Sequence, residues 1–105
     1  MQAVLTVESL PVSGIAASAA FFSDYLEQAK IMLAAADTTA LAIVLPEAGT
    51  DHDDWRRSLA GDLAREYTPK RVNVIGAKDQ LAAKALIDYL RDAPGVTGQY
   101  CPAHG

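Results

Sequence analysis

Three groups of side chains have the types and spacing that chemistry uses. His52 stands between Asp51 and Asp53, with Asp54 following, so an imidazole and carboxylates could meet at one metal ion. The same aspartates have a simpler use. Acids at the start of a helix satisfy its free N–H groups and meet the positive end of its dipole. We read them as caps and assign no metal ligand. Cys101 and His104 share a spacing that zinc sites use, but two ligands do not close a tetrahedral shell. A thiolate nucleophile would also need a positioned base and an anion hole, neither of which the sequence displays. The third group is Trp55, Arg56 and Arg57. Two guanidinium forks could take a carboxylate or a phosphate, yet neighbouring arginines are ordinarily solvated. Trp55 opens an apolar row and reads as a core or interface anchor. No catalytic, cofactor-binding or metal-ligating residue is therefore assigned.

Any such residue must be positioned by a small scaffold. The 105 residues have room for one domain, 1–105. Half the residues are hydrophobic and 21% are charged, an ordinary globular composition. Net charge is −4, and basic residues stand at most two together, as at Lys70 and Arg71, so no nucleic-acid partner is expected. One cysteine rules out an internal disulfide and suits a reducing compartment. The first basic residue is Lys30, which leaves no basic start for a signal peptide. The apolar stretch 12–22 is short, contains serines and ends near Asp24, so no membrane span is expected. The cytoplasm is the expected location.

The hydrophobic pattern alternates between two periods. Residues 3–7 (AVLTV) are apolar and β-branched, as in a buried strand. Pro11, Ser13 and Gly14 break the chain, and a helix is predicted from there to about Ala36. Phe21, Phe22, Tyr25, Leu26, Ala29, Met32 and Leu33 form its apolar stripe. Residues 40–45 (ALAIVL) lack polar alternation, the mark of a strand covered on both faces. Trp55, Leu59, Leu63 and Tyr67 recur every four residues in a second helix. A strand at 71–75 (RVNVI), closed by Gly76, a helix over 79–92 and a short strand at 96–100 complete the chain. Helical crossovers of this length join parallel strands, with a right-handed preference. The expected fold is α/β: a three-layer sandwich, half a Rossmann fold, around a four-stranded parallel sheet in sequential order.

The second half carries a more specific signal: Leu59-Ala60, Asp62-Leu63-Ala64, Arg71-Val72-Asn73-Val74-Ile75, Ala85-Leu86, Tyr89-Leu90 and Ala93-Pro94-Gly95-Val96-Thr97-Gly98-Gln99. In motif and order it resembles the C-terminal half of a short-chain dehydrogenase/reductase. That resemblance implies a Rossmann-like fold, with residues 3–7 and 40–45 at the family's fourth and fifth strands. It also implies a Gly-rich cofactor loop and a catalytic Tyr followed four residues later by Lys, and both are missing. The seven glycines, at 14, 49, 61, 76, 95, 98 and 105, never cluster. Tyr25, Tyr67, Tyr89 and Tyr100 are followed at that offset by Ala29, Arg71, Ala93 and His104. No cofactor is expected, and a self-sufficient NAD(P)-dependent dehydrogenase is not. Thr97, Gly98, Gln99 and Asn73 are read as backbone-bonding residues.

Three accounts of function remain. The first is a non-catalytic module acting by self-association or partner binding. The second is a partial oxidoreductase subunit that completes a site with another chain. The third is a sensor of a small ligand or nucleotide, of unspecified identity, at the carboxyl ends of the strands. A homodimer is expected on two grounds. In a full dehydrogenase the outer edge of strand 3–7 would be paired, and here it is bare. The last helix is apolar over roughly 200° of its wheel, more than one sheet contact needs. The surplus is centred on Ala83, Ile87 and Leu90, which are the expected interface residues.

Overall fold

In the computed structural model, which describes residues 1–103, strand and helix alternate along the chain. β1 (Gln2–Thr6), β2 (Ala40–Pro46), β3 (Arg71–Ala77) and β4 (Tyr100–Pro102) form one parallel sheet in sequential order. Its register sets Leu5 beside Ile43, Ile43 beside Val74, and Val74 beside Tyr100. The crossovers are α1 (Gly14–Asp24) with α2 (Leu26–Ala34), α3 (Asp53–Glu66) and α4 (Gln80–Arg91).

Alternating side chains split the core in two. Leu5, Leu41, Ile43, Leu45, Val72 and Val74 pack with Phe21, Ala29 and Leu33 of α1 and α2, and with Leu59, Ala60 and Leu63 of α3. On the other face Ala42, Val44, Ile75 and Ala77 meet Ala83 and Leu90 of α4. Helices on both sides explain why β2 is buried at every position before Pro46 and has no polar alternation. Each large aliphatic side chain buried here contributes about 1.5–3 kcal/mol. No helix among the described residues is long and apolar enough to cross a membrane.

The two adjacent basic residues serve the fold. Lys70 Nζ donates to the carbonyls of Leu33 (2.6 Å) and Ala35 (3.0 Å) at the end of α2. Arg71 Nη1 does the same for Leu90 (2.8 Å) and Ala93 (3.1 Å) at the end of α4. Both cations add charge-assisted bonds to carbonyls at the negative pole of a helix.

Several boundaries differ from the pattern. The helix predicted over 14–36 bends at Tyr25 (φ −127°, ψ −22°) into α1 and α2. Backbone bonds persist on both sides, from Tyr25 to Phe21 and from Ala29 to Tyr25, so the apolar stripe survives. β3 runs through Gly76 to Ala77, because pairing with β2 continues there. The strand predicted at 96–100 begins only at Tyr100. The residues before it form a loop held to β3: Val72 N–H donates to Thr97 Oγ1, Asn73 Nδ2 to the Val96 carbonyl, and Gln99 N–H to Asn73 Oδ1. Gly98 sits at φ 73°, a conformation that favours glycine.

The expected interface on α4 needs correction. Ala83 and Leu90 are buried under the sheet in the second core cluster, and Ile87 is partly buried against it. The large apolar groups that α4 leaves in solvent are Leu81 and Tyr89. An apolar arc wider than one contact does not say which part of it meets the sheet. The start of the helix decides that: Asp79 Oδ1 accepts from Ala82 N–H at 2.8 Å, just after β3 ends.

Candidate functional site

The loops after β1 and β2 and the start of α3 enclose a cleft of about 420 Å³. It lies at the carboxyl ends of the strands, where open α/β sheets place their ligands. Glu8, Leu10 and Val12 come from the first loop, Glu47 and Gly49 from the second, and His52 and Arg56 from the α3 side.

His52 is buried, with 4% of its surface exposed. Trp55 Nε1 donates to its Nδ1 at 3.2 Å, so Nε2 carries the hydrogen and donates to the Val12 carbonyl at 2.8 Å. Both ring nitrogens are committed, and the imidazole ties the β1 loop to α3. A metal ion would have to break one of these bonds. Among the described residues no three His, Cys, Asp or Glu side chains are grouped to hold one. The capping reading of the aspartates holds only in part. A short 3-10 turn (Thr50–His52) feeds α3 directly, so His52 already has helical angles and makes no side-chain cap. Asp53 and Asp54 lie in the first turn, where the dipole favours them.

The two arginines part company. Arg57 stays in solvent and reaches Asp53 (3.7 Å) and Asp54 (3.5 Å), pairs worth little at such exposure. Arg56, expected to be solvated, is fully buried. Its Nη1 donates to Tyr100 Oη at 3.1 Å, and its guanidinium carbon lies 5.4 Å from the Trp55 ring centre and 5.6 Å from that of Tyr100. Gly76 makes this possible, since a Cβ there would stand 2.6 Å from Tyr100 Oη and 3.1 Å from Arg56 Nη1. The signal was legible in the spacing. Arg56 lies three, four and seven residues before Leu59, Ala60 and Leu63, on the apolar face of its own helix.

Cys101 is half-buried on the α4 side of the sheet, and desolvation pushes its thiol up from the ordinary value. A thiol held protonated is a poor nucleophile. We expect 5,5′-dithiobis(2-nitrobenzoate) at pH 8 to modify Cys101 more slowly than it modifies glutathione. An equal or faster rate would contradict the burial. His104 lies outside the described residues. Tyr25 packs on Phe21, with ring centres 6.0 Å apart, and Tyr89 is exposed on α4. Tyr100 is thus the tyrosine in direct contact with the residues of the cleft.

Comparison with known families gives one finding. A family model described as "SDR-like: Short chain dehydrogenase-like protein" matches residues 5–103. No curated protein and no solved structure gave a significant match to this chain.

Proposed function

The chain belongs to this short chain dehydrogenase-like family, and on that premise we propose that it is a non-catalytic member acting by association, with a second copy packed on α1. The absence of a Tyr with Lys four residues later, and of a glycine cluster for a dinucleotide, supports the non-catalytic reading.

The observation that carries self-association is the outer face of α1. Ile15 is 87% and Phe22 45% exposed. Ile15, Ala19 and Phe22 follow one another at helical spacing, and α1 has no charged residue before Asp24. The helix itself therefore contributes no like charges to a two-fold axis beside it. Between α1 and α3 a groove of about 400 Å³, lined by Ile15, Ala19 and Trp55 with Asp51 and Asp54 at its α3 side, offers a seat for a partner's side chain. β1 is an edge strand of the sheet and carries no charge, so it presents a second surface without the usual protection against pairing.

Sedimentation at micromolar concentration should give twice the 11.1 kDa of the chain. Ile15→Glu should return it to the monomer mass with little change in thermal stability, because the side chain is solvent-exposed in the single chain. A wild type that sediments as a monomer at high concentration overturns this reading.

A further inference from the structure

We propose that the cleft at the carboxyl ends of β1 and β2 binds a small zwitterion of α-amino-acid size, with its carboxylate on Arg56 and its ammonium group toward Glu8 and Glu47. The basis is an uncompensated charge. Arg56 is fully buried, and its Nε is the buried side-chain polar atom that has no hydrogen-bond partner among the described residues. None of the ion pairs among those residues involves it. Among the described residues, the guanidinium makes one hydrogen bond, to a phenol, and lies near the faces of two rings. A buried cation with no counter-charge is destabilising in the empty protein. An oxyanion entering from the cleft would supply the missing charge, and the flat fork of a guanidinium suits the two oxygens of a carboxylate.

The rest of the lining selects among anions. Arg56 is the only Lys or Arg in it, while Glu8, Glu47 and Asp51 are carboxylates. Asp51 stands near His52, Oδ2 to Nε2 at 3.7 Å, and Glu8 and Glu47 are exposed. Their field opposes a phosphate dianion or a dicarboxylate and attracts a cation. A molecule bearing both charges satisfies floor and rim together. Leu10, Pro11, Val12 and Pro46 leave apolar wall for a short side chain, and about 420 Å³ is the small end of ligand-pocket size.

The test is thermal shift and calorimetric titration of the full chain with the common α-amino acids one at a time, against acetate, inorganic phosphate and methylammonium. At least one amino acid should raise Tm by several degrees at millimolar concentration, well beyond any effect of the three single-charge probes. Arg56→Met should melt no lower than wild type in buffer and lose the amino-acid response, whereas a purely structural arginine would be missed. Arg56→Lys keeps the charge without the fork and should bind at least tenfold more weakly. Glu47→Gln should weaken binding several-fold. Ile15→Glu, altered on a different face, should bind as wild type does. The proposal fails if no amino acid shifts the melt, if phosphate alone does, or if both Arg56 variants bind with unchanged affinity.

Discussion

Leu90→Ala should lower the unfolding free energy by about 2–5 kcal/mol, while its neighbour Tyr89→Ala should change it by no more than about 0.5 kcal/mol. The two positions are adjacent in the sequence and equally apolar on a helical wheel. In the fold, Leu90 is 1% and Tyr89 58% exposed. Leu90 packs on the face formed by Ala42, Val44, Ile75 and Ala77, and apart from Ile75 these short side chains leave little that could collapse into the space a truncation creates. α4 is also the single helix covering that face, so loosening it exposes the centre of the sheet. Urea denaturation monitored by circular dichroism measures both variants. The reverse order of effects would mean that α4 meets the sheet through the other part of its apolar arc.

The second large effect is expected at Asn73. Its side chain lies in the middle of β3 at 3% exposure, donating to the Val96 carbonyl at 3.0 Å and accepting from Gln99 N–H at 3.1 Å. Asn73→Ala leaves a part-buried carbonyl and N–H without their partner, at a cost of about 1–3 kcal/mol in all. The loss should extend to β4, because the same loop delivers Tyr100 to its place beside Val74. Faster amide exchange at Gly98, Gln99 and Ala103 in the variant, under conditions where β1 and β2 stay protected, is the expected signature. Gly98 and Ala103 donate to the carbonyls of Val72 and Gly76, so their exchange reports on that connection. A fully stable variant with unchanged exchange would show that water can replace the asparagine.

Asn73 and Arg56 illustrate how differently two polar residues in apolar surroundings can be read from sequence. Asn73 interrupts RVNVI in a strand too short and too apolar to face solvent, so a backbone-bonding role follows from local pattern. Arg56 has the same kind of signal, an apolar face shared with Leu59, Ala60 and Leu63, but a neighbouring arginine masks it. The spacing puts Arg56 on the face of Leu59, Ala60 and Leu63, and that face is turned to the sheet by the way α3 starts. That start is set by the turn over Thr50–His52 and by the bond of His52 to Val12, forty residues earlier in the chain. The acidic run around His52 suggests a capped helix end, and the helix begins there without the cap. The dipole argument survives, whereas the capping bond requires an extended residue that the preceding turn does not supply.

Period and punctuation in the sequence by themselves determined the order of elements, the parallel sheet and its sequential strand order, while the family was reached through the resemblance of the motifs between Leu59 and Gln99. These features follow from local rules: alternation lost in strands covered on both faces, apolar rows at helical spacing, and crossovers long enough to be helices. The tertiary structure alone decided which slice of a wide apolar arc is core. It buried Ala83 and Leu90 and left Ile15 and Phe22 in solvent. It also placed a guanidinium that has no ion-pair partner among the described residues at the end of the sheet, near Trp55 and Tyr100. The spacing of Arg56 to Leu59, Ala60 and Leu63 marked its face of the helix, but not what that face meets. A helix's phase against its sheet is set by contacts at its ends with residues distant in the chain, and such contacts leave no periodic trace.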